Sequence, residues 1–194
     1  MTNIIKIIAT LAFSTMLLTA SEFVVDKTHS QVAFKVKHMM ISNVQGNFNE
    51  YDADIEFDKK TMQFTALTAE METKSVDTGI EKRDNHLRSA DFFDAKKNPI
   101  ITFEMKSYKG DKEEGKMEGN LTIRGISKPV TLDVEIGGLI KDTAGITRLG
   151  FVLEGKIKRK DFGLKWNKLL EAGGLAVSET VKLIIEIEAL EEED

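Results

Sequence analysis

One stretch, TKSVDTGIEKRDNHLRSADFFDAKKNPIITFE (residues 73–104), decides how the chain is organised. It is the long interruption in a sequence that otherwise alternates like β-strands. Within it, Thr78 followed by Glu81 predicts a helix start, because the two side chains of such a capping box satisfy free backbone N–H groups. Pro99 then favours the beginning of a strand, where a missing N–H matters least. The order strand, short helix, strand predicts a helical flap inserted into a β-structure.

The flap contains the densest cluster of candidate functional residues: Asp77, Thr78, Arg83, Asp84, His86, Phe92 and Phe93. On the predicted helix, Ile80, Arg83 and Leu87 are spaced so that they share one face. An arginine on an apolar face costs free energy to dehydrate unless it meets an anion or other acceptors. We therefore expect Arg83 to be held by Asp77, by Asp84 or by a ligand head group. An ion-pair network that fixes the flap is the first interpretation, and a direct ligand site is the alternative.

Composition indicates one globular domain behind an export signal. The chain has 194 residues, of which 41% are hydrophobic and 30% charged, and it has no cysteine. Residues 1–20 contain one charge, Lys6, then an apolar run and small residues before Ser21, which is typical of a cleaved signal peptide. An uncleaved membrane anchor is the alternative, although the apolar run is shorter than the roughly 20 residues of a spanning helix. Residues 21–194 are then the mature domain, which we expect to be periplasmic and without a stable membrane span.

Most of the mature chain alternates with period two, which predicts strands with one buried face. The first inward set is Val32, Phe34, Val36 and His38. Later inward positions include Phe48, Met62, Phe64, Ala66, Phe103, Gly119, Leu121, Gly125, Phe151, Gly155, Arg159, Val181, Leu183 and Ile185. The inward glycines indicate strong curvature or room for a ligand. A glycine-rich turn is predicted at residues 137–138.

The strand count predicts an all-β fold with about eight or nine antiparallel strands and one short helical insertion. Every strand has a polar face, which disfavours a parallel sheet covered on both sides. An up-and-down, lipocalin-like barrel of eight strands leaves no exposed edge and can enclose one ligand. A two-sheet sandwich with a filled interior is the alternative.

Six motifs are spread along nearly the whole length of the mature chain. They are DKTHS (26–30), VDTG (76–79), RDNHLRS (83–89), DFFDA (91–95), GNLTIRG (119–125) and RKDFG (159–163). Together they resemble the YceI-like, polyisoprenoid-binding family of exported bacterial proteins. The resemblance implies an extended lipocalin-like barrel with a helical insertion and an apolar tunnel for an isoprenoid chain. It also implies a periplasmic binder of polyisoprenoids or isoprenoid quinones, for transport, storage or sensing, and a homodimer as a further expectation.

The candidate ligand-binding residues combine the flap with the inward faces. They are Phe34, Val36, His38, Phe48, Asp77, Thr78, Arg83, His86, Leu87, Phe92, Phe93, Phe103, Gly119, Leu121, Phe151, Arg159, Phe162 and Trp166. Without the resemblance, an ordinary packed core is the simpler interpretation of the apolar positions. His38 and Arg159 extend apolar faces and are expected at a barrel mouth, with a structural hydrogen bond or a salt bridge to Asp161 or a neighbouring acid as the alternative. Trp166, the single tryptophan, is either a cavity wall or a core anchor.

The sequence offers little support for an enzyme, a metal site or nucleic-acid binding. Three histidines, His29, His38 and His86, would have to converge to form a metal site, and no short ligand spacing occurs. There is no Gly-x-Ser-x-Gly elbow and no cysteine nucleophile. The formal net charge is −5, whereas nucleic-acid binding requires basic patches. No cofactor is expected beyond the bound isoprenoid lipid or quinone. An enzyme acting on an isoprenoid head group and a ligand-free envelope-stress or structural protein are the alternative functions.

Overall fold

The computed structural model describes residues 20–171 and 174–192. Apart from Ala20, the predicted signal peptide lies outside these residues. The described part contains eleven strands, one α-helix and two 3-10 turns. The strands are β1 (Ser21–Val25), β2 (Gln31–His38), β3 (Ser42–Phe48), β4 (Tyr51–Asp58), β5 (Gln63–Glu72), β6 (Val76–Asp77), β7 (Ile100–Gly110), β8 (Glu114–Ile123), β9 (Ile126–Lys141), β10 (Thr147–Lys158) and β11 (Val177–Glu191). The helix, α1, spans Glu81–Arg88, and the 3-10 turns span Thr73–Ser75 and Arg159–Phe162.

Eight of these strands close into an antiparallel barrel, which confirms the predicted fold class. Their order is β1-β4-β5-β7-β8-β9-β10-β11, and β1 returns to β11 through the pair Phe23↔Glu191. β2, β3 and β6 extend the same sheet from the other half of β11, where Val181 pairs with Val36. Closure leaves the barrel strands without free edges. The sandwich alternative is therefore wrong.

The barrel has two ends, which β10 and β11 connect. Lys158 pairs with Thr180 near one end, and Arg148 pairs with Leu190 near the other. Ten residues of strand, at about 3.3 Å each, separate these pairs by roughly 33 Å. The β2–β3 turn and the β10–β11 connection both lie at the end that contains Lys158. We call this end the mouth.

The flap between β5 and β7 is anchored to the barrel by backbone carbonyls. Buried Thr73 joins the two ends of the flap, because its side-chain hydroxyl donates to the carbonyl of Pro99 at 3.0 Å. Arg124, in the β8–β9 turn, donates from Nη1 to the carbonyl of Phe92 at 2.6 Å. The Pro99 carbonyl also accepts the Thr73 N–H at 2.8 Å, so two hydrogen bonds from one residue fix this contact. The flap is therefore held in place as a plug.

The capping box predicted for α1 is wrong. The helix begins at Glu81, with Ile80 at the N-cap position and no side-chain cap. The Thr78 hydroxyl donates instead to the buried carboxylate of Asp84, which also accepts the Thr78 N–H at 2.9 Å. A buried carboxylate without donors costs more free energy than N–H groups that remain open to water. Tertiary burial of Asp84 therefore overrides the local capping motif.

Bulges and turns overturn two predicted inward strand positions and one predicted turn. A register shift in the β4–β5 pairing places Leu67 on the buried face in place of Ala66. Residues 137–138 lie inside β9, beside a register shift in the β9–β10 pairing, and do not form the predicted turn. Gly125 has a φ of +71° in the β8–β9 turn and is not an inward strand residue. Strict alternation misassigns these positions because each bulge or turn breaks the period of two.

Candidate functional site: an apolar cavity inside the barrel

The barrel encloses a cavity of about 340 Å³, at the lower end of the range of about 300–1,000 Å³ for small-molecule sites. Side chains from every strand except β6 contribute to its wall, together with α1, the rest of the flap and the β10–β11 connection. The polar wall residues are His38, Tyr51, Asp52, Arg83, His86 and Arg159. The remaining wall is apolar or aromatic, so the interior favours an occupant that is itself apolar.

Most of the candidate residues predicted from the sequence line this cavity. They are Phe34, Val36, His38, Phe48, Arg83, His86, Leu87, Phe92, Phe93, Phe103, Leu121, Phe151, Arg159 and Trp166. The other four, Asp77, Thr78, Gly119 and Phe162, do not line it. Asp77 and Thr78 organise the flap, and Phe162 is buried in the hydrophobic core.

The inward glycines do not provide the room that the sequence suggested. A Cβ atom at Gly119 would lie 2.4 Å from the ring Cζ of Phe103 and 2.6 Å from the backbone oxygen of Glu104. At Gly155 the same atom would lie 2.6 Å from Cδ2 of Leu132. Both glycines are already in close contact with a neighbouring side chain, so they allow close packing and leave no gap.

Alanines border the open space instead. Ala53 and Ala69 face each other across the β4–β5 pair, and both line the cavity. They could not be identified from the sequence, because an alanine in an alternating strand does not show whether it lies beside a cavity or in a packed core. Leu164 and Ala176, which were also not predicted, line the cavity from the irregular β10–β11 connection. That segment has no periodicity from which an inward face could be predicted.

Arg83 is held by Thr78 and not by a carboxylate. Its Nε donates to the Thr78 hydroxyl oxygen at 2.7 Å, and its Nη2 donates to the Thr78 carbonyl at 2.9 Å. Among the described residues, the expected ion pair with Asp77 or Asp84 is not formed. Because the same hydroxyl donates to Asp84, Thr78 links the buried carboxylate to the guanidinium. The Asp77 carboxylate accepts the N–H of Gly79 at 2.7 Å, and this bond holds the pKa of Asp77 below its ordinary value.

His86, Phe92 and Trp166 form an aromatic cluster in the cavity wall. The ring centroids of His86 and Trp166 are 4.9 Å apart, those of His86 and Phe92 5.0 Å, and those of Phe92 and Trp166 5.3 Å. His86 Nε2 also lies 2.9 Å from the carboxylate of Asp91. The cluster joins α1 to the β10–β11 connection, and it makes Trp166 part of the cavity wall.

Arg159 is a buried cation in the wall, with only 3% of its surface exposed. Its Nε donates to the carbonyl of Ser178 at 2.9 Å, and Nη1 donates to the carbonyls of Leu164 and Trp166 at 2.6 and 2.9 Å. The alternative interpretation, a salt bridge to Asp161 or another acid, is wrong, because Arg159 forms no such ion pair with any described residue. Its Nη2 also finds no hydrogen-bond partner among the described residues. Burial lowers the pKa of Arg159 because the charged form loses hydration.

A polar cluster lies at the end of the barrel opposite the mouth. Asp26, His29 and Glu188 bring possible metal-ligating atoms within 4.8 Å of one another. Arg148 Nη1 lies 3.1 Å from Asp26 Oδ2 and also bonds Glu188, so a guanidinium already neutralises these carboxylates. Because the other two histidines line the cavity, the three histidines do not converge on one site.

Comparison with known proteins assigns the chain to a family. A protein-family model for the YceI-like domain matches residues 23–189, which begin within β1 and end within β11. This chain belongs to the YceI-like family. One relative, Protein YceI of Salmonella newport, is 38% identical over 187 residues, which cover 95% of each chain. The family resemblance indicated by the sequence motifs is thereby confirmed.

Solved structures share the barrel of this YceI-like chain. The crystal structure of a Campylobacter jejuni YCEI protein is 46% identical, with a TM-score of 0.71 over 87% of this chain and 96% of that one. The structure of a polyisoprenoid binding domain from Saccharophagus degradans is 16% identical, with a TM-score of 0.60 over 90% of this chain and 100% of that one. The second likeness shows a common fold. Within residues 20–171 and 174–192, no helix is both long enough and apolar enough to cross a membrane.

Proposed function

We propose that this YceI-like protein binds one isoprenoid lipid inside its barrel, either a polyisoprenoid or an isoprenoid quinone. The observation that carries the proposal is the apolar cavity of about 340 Å³. Burial of apolar surface contributes about 25 cal/mol of favourable binding free energy per Å². An enclosed isoprenoid chain therefore binds favourably even after the loss of its conformational entropy. The Saccharophagus degradans domain, described as polyisoprenoid binding, supports this class of ligand.

The polar residues of the wall suit the head group of such a lipid. Arg83 and Arg159 place two cations beside an interior that is predominantly apolar. A hydrocarbon chain needs only apolar contacts, whereas quinone carbonyls and phosphates carry oxygens that accept hydrogen bonds from arginine. The aromatic cluster of His86, Phe92 and Trp166 adds flat surfaces against which a quinone ring can pack. We therefore expect the head group near these side chains.

The proposed role is binding and not catalysis, and its setting is the periplasm. Family membership and the polyisoprenoid-binding neighbour favour a binding protein over an enzyme. The signal-like sequence of residues 1–20 supports export. A protein that encloses one lipid in this compartment can transport it, store it or report its presence.

Purification under native conditions, followed by lipid extraction and mass spectrometry, tests the proposal directly. We expect an isoprenoid lipid to co-purify with the protein. After removal of the lipid, menaquinone-4 should quench the fluorescence of Trp166, because this single tryptophan lines the cavity. Delipidated protein that binds neither menaquinone-4 nor geranylgeranyl phosphate would refute the proposal.

A further inference from the structure

The mouth of the barrel carries exposed apolar side chains that packing within the chain does not require. Met39, Met40 and Ile41, in the β2–β3 turn, are 42%, 59% and 84% exposed. Leu169, in the β10–β11 connection, is 78% exposed. A group of apolar side chains left in water marks a surface that contacts something else.

Backbone contacts join these side chains into one surface. The N–H of Met39 donates to the carbonyl of Ala176 at 2.8 Å, and the N–H of Ala176 donates to the carbonyl of Lys168 at 2.9 Å. Leu169 follows directly and forms a β-bridge with Leu175. Ala176, between the two apolar segments, lines the cavity. The exposed apolar residues therefore lie directly beside a residue of the cavity wall.

This surface is basic, although the chain as a whole is acidic. The formal net charge of the chain is −5. Residues 31–49 contain Lys35 and Lys37 and no acidic residue. Residues 156–171 contain five lysines and two acidic residues, in addition to the buried Arg159, and one of these lysines, Lys160, pairs with Glu179. Apolar side chains surrounded by lysines are the combination that peripheral proteins present to a membrane with anionic lipids.

We propose that the mouth surface, formed by Met39, Met40, Ile41 and Leu169 with Lys37, Lys165 and Lys168, docks on an anionic lipid bilayer. The apolar side chains enter the head-group region, and the lysines contact lipid phosphates. In this orientation the cavity opens toward the membrane, so an isoprenoid chain passes from one apolar phase to the other without crossing water. The transfer step rests on the proposed function, whereas docking is a separate property of the surface. The continuity of this surface with an apolar cavity favours a bilayer over a protein partner.

Vesicle binding of a double variant, Met40→Asn with Ile41→Ser, tests the apolar part of the surface. Met40 has a φ of +63°, which asparagine adopts more readily than methionine, so the variant should fold. The control is Ile140→Ser, which removes a side chain of 65% exposure near the opposite end of the barrel, where Ile140 pairs with Arg148. In cosedimentation with vesicles of equal parts phosphatidylcholine and phosphatidylglycerol, the double variant should bind about tenfold more weakly or worse. The control should bind like the wild type.

The lysines are tested in the same assay. Lys165→Glu with Lys168→Glu should weaken binding to the mixed vesicles, and Lys141→Glu, near the opposite end, should not. Wild-type binding should also fall with added salt and on vesicles of phosphatidylcholine alone. Failure of the wild type to bind the mixed vesicles, or equal losses in the variants and their controls, would overturn the docking proposal.

Quenching by menaquinone-4 without vesicles separates docking from lipid binding. A double variant of Met40 and Ile41 that keeps quenching and loses vesicle binding supports the docking surface. A variant that loses both would place these residues in the lipid site and overturn docking. A wild-type protein that binds vesicles but no isoprenoid would support docking and refute the proposed function.

Discussion

Filling the cavity from Ala69 tests whether the barrel has room for a ligand. Ala69 lies on β5 opposite Ala53, and both side chains line the cavity. Ala69→Leu directs three more carbon atoms into that space, each worth about 0.8 kcal/mol when buried, or about 2.4 kcal/mol in total. Ordering a leucine side chain costs about 0.5–1 kcal/mol. The variant should therefore be about 1.5 kcal/mol more stable than the wild type in the absence of lipid.

Gly119→Leu should have the opposite effect on stability. Because a Cβ at Gly119 meets the Phe103 ring at 2.4 Å, the added atoms enter space that is already occupied. Overpacking of this kind costs about 1–3 kcal/mol. The two substitutions add large side chains to the same face of the barrel, yet the structure predicts stabilisation at one position and destabilisation at the other.

Urea unfolding and quinone binding together decide the outcome. The midpoint of unfolding should rise for Ala69→Leu and fall for Gly119→Leu, with similar denaturant slopes. Quenching of Trp166 by menaquinone-4 should weaken in Ala69→Leu, while Ala66→Leu, on the same strand but outside the cavity wall, serves as the control. An Ala69→Leu variant as destabilised as Gly119→Leu would show that the interior is already filled. Unchanged quinone binding would place the ligand elsewhere.

Three further outcomes follow from the buried and charged groups. Arg159→Met leaves the carbonyls that bind the guanidinium without their donor, which should lower the free energy of unfolding by at least about 1–3 kcal/mol in urea titration. Arg83→Ala removes two hydrogen bonds to Thr78, so it should cost about 1 kcal/mol and speed amide hydrogen exchange in the flap; unchanged exchange would contradict this anchoring. The hydrogen bond from Thr28 is the largest cause of the lowered pKa of Asp26, so the carboxylate stabilises the fold above its unfolded-state pKa of about 3.9 and loses this effect as the pH falls. Asp26→Asn should therefore melt at a lower temperature than the wild type at neutral pH, and the difference should shrink in acid; a constant difference across the acid range would refute this role.

The sequence by itself determined most of the inward faces and the family. Side chains in a strand alternate strictly between two faces, so the apolar alternation through Phe34 and Phe151 was enough to assign the interior. The same alternation predicted the strand-rich fold, and the break at residues 73–104 located the helical insertion between β5 and β7. Motifs spread over the mature chain indicated the YceI-like family without any knowledge of distances.

Only the tertiary structure decided where the interior is filled and where it is open. Periodicity assigns a residue to a face, but the space in front of it depends on side chains that cross from other strands. The Phe103 ring occupies the space at Gly119, whereas a cavity remains beside Ala69. The partners of Arg83 and Arg159 were equally hidden, because they include backbone carbonyls. Every residue carries a carbonyl, so such a partner leaves no mark in the sequence, and only the folded chain brings it to the guanidinium.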